Sequence, residues 1–331
     1  MRKLVHLAVL AVTIASLTFG RAQAVQTLRL NESLGPGSAE ETALLQFKED
    51  VEESSHGELK IALFFQDQLG NPQSSLENLM TGSLDLYSGA LEYYEPLARE
   101  EFSCISLAYF LPDFATLQKY LASPTFMQAR DKILQRGVRF LEMDAERGPY
   151  RVIVSTKPIL SVADVPGLKL RMYPNDVAVH SWQNLGAVTL QVPFGQTYLG
   201  LREGVVQAVT VPLSVVRSVK FTEVAKYITA IKEYPQVWPI SISEVTWKKL
   251  TPDQQKLMMD AAADASKTYT AATQEHAIND INAMMRENQA VFIQLDTAQF
   301  RKKMEPFYQQ LTKDGTMSQS VYDAVQQILP H

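Results

Sequence analysis

The chain has 331 residues, with 31 Lys and Arg against 36 Asp and Glu, for a formal net charge of −5. This acidic balance excludes a nucleic acid or an anionic membrane surface as the main partner, and any anionic ligand must be met by locally placed arginines. Cys104 is the only cysteine, so no internal disulfide is available, and a chain of this length must be held by its core, burying about three quarters of the unfolded surface.

Arg2 and Lys3 precede an apolar run over 4–19, and Ala22-Gln23-Ala24 follows. These are the three parts of a secretory signal peptide cleaved near Ala24. The run is shorter than the roughly 20 residues that cross a bilayer as a helix, and no second such run follows. The mature chain is expected to begin at Val25, and loss of Arg2, Lys3 and Arg21 takes its formal charge from −5 to −8.

The mature length predicts two domains. An extended run over 28–31 ends in a loop over 33–38. Leu44, Leu45, Phe47 and Val51 then mark a helix over 39–53, with Ser38 as its N-cap. A strand over 59–65, a helix over 73–80 and a short strand over 84–88 follow. Such alternation predicts a mostly parallel sheet with helices on both faces and a ligand beyond the carboxyl ends of its strands. The loops at Ser33, Gln66 and 90–94 should therefore line a cleft.

The pattern recurs in strands over 150–155 and 168–172, a helix over 177–185, a segment over 194–203 and a strand over 205–211, which predicts a second domain of the same class. Residues 253–289 contain neither Gly nor Pro. Their composition favours a single helix, long enough at about 1.5 Å per residue to bridge both domains.

Catalytic chemistry is missing. His6, His56, His180, His276 and His331 stand outside metal-ligand spacing of one another and of Cys104. There is no Gly-x-Ser-x-Gly elbow and no nucleotide-binding glycine loop, since Gly35-Pro36-Gly37 lacks the later glycine and the acid for ribose. The carboxylate pairs Glu40-Glu41, Glu52-Glu53 and Glu100-Glu101 read as solvated helix faces. No catalytic residue, metal or cofactor is expected, and the chain does not read as an enzyme.

The segment Lys157-Pro158-Ile159 through Asp164-Val165-Pro166-Gly167-Leu168-Lys169-Leu170-Arg171 resembles the DctP-type substrate-binding proteins of TRAP transporters. Further matches run along the chain at Gln68-Leu69-Gly70, Leu79 to Asp85, Pro193 to Tyr198, Leu201 to Val206 and Lys220 to Val224. In that family the Gly-Leu-Lys-Leu-Arg strand delivers an arginine into the cleft, so the resemblance implies that Arg171 clamps a ligand carboxylate. A guanidinium suits this role because its planar fork pairs both carboxylate oxygens and keeps its proton. By the same resemblance Arg151 is a second ligand-side arginine and Phe194 packs against the ligand. Arg147, in a charged loop, and Arg202, beside Glu203, are left out of the site.

The chain departs from the pattern at Gln207-Ala208-Val209-Thr210-Val211-Pro212, where Val211 stands in place of an Asn that often bonds the ligand. A polar ligand group left unpaired there would lose about 1 to 3 kcal/mol, so an apolar ligand face is expected opposite Thr210-Val211. Glu233 stands where many relatives carry His. Trp238, with Tyr93 and Tyr94 across the cleft, supplies aromatic surface. Together with Ser33 these residues form the expected site, suited to a carboxylate with an apolar or aromatic body rather than a sugar acid.

The resemblance implies an α/β, two-domain periplasmic-binding-protein-like fold with a hinge, a central cleft and a long C-terminal helix spanning both domains. Domain I is expected over 25–148 and 237–276, and domain II over 149–236 and 277–331. The implied partners are a small carboxylate and the membrane subunits of a transporter, and the chain is expected to be a periplasmic monomer. A receptor of the same fold serving a membrane sensor, or an exported enzyme acting on small acids, are the competing readings.

Overall fold

The computed structural model describes residues 25–330, and the expected signal peptide lies outside them. The first strands are β1 (Gln26–Glu32), β2 (Leu59–Phe64), β3 (Leu86–Ser88) and β4 (Val138–Glu142). They are followed by β5 (Arg151–Ser155), β6 (Lys169–Met172), β7 (Val188–Gln191) and β8 (Ala208–Pro212), and then by β9 (Tyr227–Ala230), β10 (Ile240–Ser243) and β11 (Val291–Gln294). They form two sheets, in the orders β2-β1-β3-β10-β4 and β11-β9-β5-β8-β6-β7.

Local sequence accounts for the elements joining these strands. Ser38 accepts the Glu41 N–H and starts the helix Ala39–Ser54. Asn71 and Pro72 start the helix Pro72–Thr81, and Gly82, at φ 75°, ends it. Leu84 falls in the turn rather than in β3, because its N–H is held by the Asn78 carbonyl.

Two strands depart from the mostly parallel expectation. β10 is antiparallel to β3 and β4, and β5 is antiparallel to β8 and β9. Each enters its sheet directly from the other one, without the crossover element that a parallel neighbour needs. The connections 143–150 and 231–239 run side by side, bridged between Glu146 and Val237 and by Arg147 N–H to the Gln236 carbonyl at 2.9 Å. Gly148 takes φ 77° between Arg147 and β5, and a Cβ there would lie 3.0 Å from Ser214 Oγ.

The helix Pro252–Asn288 is unbroken over 37 residues, about 55 Å at the usual rise. Met258, Ala261, Ala262, Ala265 and Tyr269 bury it against the first sheet and the helix Ala39–Ser54. Ala277 and Met284 join the core around Val152, Val209 and Ile228 of the second sheet. One helix therefore packs on both units. No helix among the described residues is long and apolar enough to cross a membrane.

A third apolar cluster, absent from the sequence reading, is built from helices between 91 and 135 and from the closing helices Ala298–Lys313 and Gln319–Gln326. Phe110 packs on Tyr308 and Tyr322, with ring centroids 4.9 and 5.8 Å away. The closing helices also touch the second unit, where Asn184 Nδ2 donates to the Lys303 carbonyl.

Candidate functional site

A cavity lies where the two sheets face each other. Its first wall follows the carboxyl ends of β1 and β3 with Glu32, Ser33, Leu34, Gly89, Ala90, Glu92 and Tyr93. Its second wall carries Arg151, Arg171, Tyr173, Phe194, Thr210, Val211, Pro212 and Val215, and the connections between the sheets add Arg147 and Gln236. Because β5 runs antiparallel, its first residue, Arg151, pairs with Pro212 at the carboxyl end of β8. The switch in direction is what brings Arg151 to the same sheet edge as Arg171.

The three arginines are equipped differently. Arg151 is bound on all sides: Nε donates to Glu233 Oε2 at 2.9 Å, Nη1 to Gln236 Oε1 at 2.5 Å, and Nη2 to Thr210 Oγ1 and the Thr210 carbonyl at 2.7 and 3.0 Å. Its guanidinium also lies 4.6 Å from the Tyr234 ring. Arg171 donates from Nε to the Val192 carbonyl at 2.9 Å, and stacks its guanidinium 5.4 Å from the Phe194 ring centre. Beyond that bond only the Tyr93 side chain lies within hydrogen-bonding reach of the guanidinium, and no carboxylate pairs with it among the described residues, although the residue is only 4% exposed. Burial pulls the Arg171 guanidinium below its usual value, with Tyr93 and Tyr173 opposing. Arg147 reaches Glu40 from Nη2 at 3.4 Å, and its buried Nε has no partner.

Two carboxylates stand in the wall. Glu32 accepts from Ser33 N and Leu34 N through Oε1, and from Ser88 Oγ and Trp238 Nε1 through Oε2. Burial and the neighbouring Glu40 nevertheless push its carboxyl up to about 7. Glu92 accepts from Gln236 Nε2 through Oε1, while Oε2 is buried without a partner. Leu34, Val211, Pro212 and Val215 make the remaining wall apolar.

Of the residues expected in the site, Ser33, Tyr93, Arg151, Arg171, Phe194, Thr210 and Val211 line this cavity. Three others do not. Tyr94 turns into the core beside Phe140, with its hydroxyl bonded to Ser241 Oγ at 2.6 Å. Trp238 stacks on Tyr269 at 4.5 Å and spends its N–H on Glu32. Glu233 is fully buried between Arg151 Nε and Trp182 Nε1. In each case a core partner satisfies the polar atom, so burial behind the wall carries no penalty. Arg147, Glu92, Gln236 and Tyr173 were missed. Arg147 reads as part of a charged loop, and only the pairing of the two connections brings it inward. Arg202 is exposed beside Glu203, as expected.

A cavity between two α/β units, walled by arginines and joined at the back by paired connections, fits ligand capture. The profile of the bacterial extracellular solute-binding proteins of family 7, DctP, matches residues 30–314. The chain belongs to this family. It is one of the DctP-type solute-binding proteins of TRAP transporters, which are transporter subunits rather than enzymes. The sialic acid-binding periplasmic protein of Vibrio cholerae is 28% identical over 317 residues, covering 94% of this chain and 96% of that protein. A TRAP periplasmic solute-binding protein from Polaromonas sp. JS666, solved with D-erythronate, has a TM-score of 0.84 at 21% identity, over 92% of this chain and all of the other. A sugar acid-binding protein from Advenella mimigardefordensis, solved with galactonate, has a TM-score of 0.83 at 24% identity, over 92% and 99%. These two structures share the two-domain fold expected from the sequence.

Within this DctP protein, Val211 lies on the second wall of the cavity beside Pro212 and Val215. The aromatic surface shrinks, because Tyr94 and Trp238 belong to the core, and Tyr93, Tyr173 and Phe194 remain.

Proposed function

We propose that this protein captures a small organic carboxylate in the periplasm and delivers it to the membrane subunits of a TRAP transporter, with Arg171 as the clamp. The observation that carries the reading is the state of Arg171: a buried guanidinium, aligned by Val192 and Phe194 and neighboured by Tyr93, that pairs with no carboxylate among the described residues. A carboxylate accepts two parallel hydrogen bonds from such a fork. Arg151 supports it from behind as a positive charge already bound by Glu233, Gln236 and Thr210.

In this reading the ligand presents its carboxylate to Arg171 and an apolar edge to Val211, Pro212 and Val215. The connections 143–150 and 231–239, with the helix Pro252–Asn288 as the third crossing, act as the hinge between domain I, over 25–148 and 237–276, and domain II, over 149–236 and 277–331. Closure buries the ion pair and shifts the population toward the form the membrane subunits recognise. The arginines 147, 151 and 171 give an acidic protein the local positive charge that an anion needs. The chain works as a monomer, reaching the periplasm by the signal peptide cut near Ala24.

A thermal-shift screen of the purified protein against mono- and dicarboxylates, sugar acids, aromatic acids and neutral controls tests the reading. Ligand present far above its Kd raises the melting temperature. Stabilisation by acids that is lost in Arg171→Ala supports it. Acids that stabilise wild type and Arg171→Ala alike, or stabilisation by neutral compounds alone, overturn it.

A further inference from the structure

Beyond the arginine clamp, residues of the cavity wall hold three buried polar atoms that make no hydrogen bond among the described residues: Ser33 Oγ, Glu92 Oε2 and Arg147 Nε; the last two belong to charged groups, whose unpaired burial costs the most. Both residues line the cavity that Arg171 lines. A buried polar atom without a partner costs about 1 to 3 kcal/mol, and the large majority of such atoms in folded proteins are bonded.

Neither side chain is loosely placed. Glu92 is 2% exposed, and its Oε1 is held by Gln236 Nε2. Gln236 is in turn held by Arg151 Nη1 through Oε1, so the orientation of Glu92 is fixed through Gln236 to an arginine of the opposite sheet. Arg147 is anchored at its backbone by the Gln236 carbonyl and at Nη2 by Glu40.

We propose that Glu92 and Arg147 form a second polar subsite that takes a ligand hydroxyl, making Glu92 a residue that selects hydroxylated acids over their deoxy and dicarboxylic counterparts. The proposal rests on capture of the acid by Arg171. The chemistry is decided by elimination. Arg147 Nε can only donate, and an ionised Glu92 Oε2 can only accept. A hydroxyl does both at once. An ammonium would serve Glu92 but meet the charges of Arg147 and Arg151. A second carboxylate would serve Arg147, whose charge Glu40 already faces, but set oxygen against Glu92. Burial pushes the Glu92 carboxyl up; in its protonated form it can donate to the same hydroxyl, so a hydroxyl suits both states, whereas a carboxylate suits the protonated one alone, which the dicarboxylates in the test address.

Calorimetric titration with two matched sets of straight-chain acids provides the test: erythronate, butyrate and succinate at four carbons, and galactonate, hexanoate and adipate at six. In wild type a hydroxylated acid is expected to bind about tenfold or more tightly than its deoxy partner of equal length, as one buried hydrogen-bonding site predicts, and more tightly than the dicarboxylate. Glu92→Met should erase that preference, shifting the affinities of hydroxylated and deoxy acids until they meet, and a melting curve of the variant shows that it is folded. Glu92→Gln, which can still bond a hydroxyl, should restore part of it. Equal binding of hydroxylated and deoxy acids, tighter dicarboxylate binding, a preference that survives Glu92→Met, or an equal loss for all acids in that variant overturns the subsite. Failure of the clamp has a different signature, in which no acid in the series binds or all bind Arg171→Ala as they bind wild type. That result overturns the carboxylate reading and the subsite with it.

Discussion

Arg151 and Glu233 face each other at 2.9 Å, from Nε to Oε2, with both side chains withdrawn from solvent. One opens β5 and the other lies in the connection 231–239, so the pair ties the second sheet to the path leading back to the first. Glu233 is thereby committed to Arg151 and Trp182 within the protein.

Replacing Glu233 by Ala should cost stability before it costs affinity. Removal of one partner from a buried ion pair leaves an uncompensated charge, worth about 3 to 5 kcal/mol. Urea unfolding of Glu233→Ala against Glu233→Gln measures it. Gln keeps one acceptor oxygen, for either Arg151 or Trp182 but not both, so the expected loss is smaller than for Ala without vanishing.

Arg171→Ala should do the reverse. The side chain has no buried ion pair among the described residues, only the Val192 carbonyl and the neighbouring Tyr93, which makes its loss tolerable to the fold. A bidentate contact to a carboxylate, at about 1.5 to 3 kcal/mol per charge-assisted bond, predicts a loss of about 100-fold or more in affinity. Arg171→Lys keeps the charge without the planar fork and should fall between. Calorimetry and melting curves on the same samples separate the two effects.

Trp238→Phe is expected to lower stability and leave ligand selectivity unchanged. The variant keeps the ring that stacks on Tyr269 and loses the N–H that Glu32 accepts, at a cost of about 1 to 3 kcal/mol. A change in the ranking of acids bound by this variant would return Trp238 to the ligand wall.

The pH dependence of stability should slope downward above pH 4.5. The Glu32 carboxyl rises from 4.5 to about 7 in the folded protein, so the native state holds its proton more tightly than the unfolded chain. Its contribution is fully present below 4.5 and is lost as pH rises through about 7. Glu95, also pushed up to about 7 by burial, acts with the same sign. Melting temperatures measured from pH 4.5 to 8 should therefore fall, and Glu32→Gln should shallow the slope without removing it.

Much of the site was legible where the residue and its strand coincide. Arg171 ends an apolar strand inside a specific motif, and Phe194, Thr210 and Val211 follow at fixed spacings, so their position in the chain sets their position in the cleft. Tyr94 and Trp238 were misassigned for the opposite reason. An aromatic residue near a strand end satisfies the same pattern whether it turns inward or outward, and the choice depended on Ser241, Phe140, Glu32 and Tyr269, far away in sequence. Arg147, Glu92 and Gln236 carry no local signal at all, being a loop cation, a turn acid and an amide between aromatic and apolar neighbours.

The sequence by itself determined the alternating α/β units, the long helix from Pro252 and the arginine of the Gly-Leu-Lys-Leu-Arg strand, because hydrophobic period, capping residues and motif act over a few neighbouring residues. Tertiary structure decided the directions of β5 and β10, the cluster that the closing helices share with Phe110, and which of the buried polar groups remain unbonded in the cavity. Those depend on how two connections, 143–150 and 231–239, pair across about ninety residues of intervening chain. Hydrogen-bond satisfaction is a property of the assembled neighbourhood, and only there does Arg151 become a bound support while Arg171 is left without a carboxylate partner among the described residues.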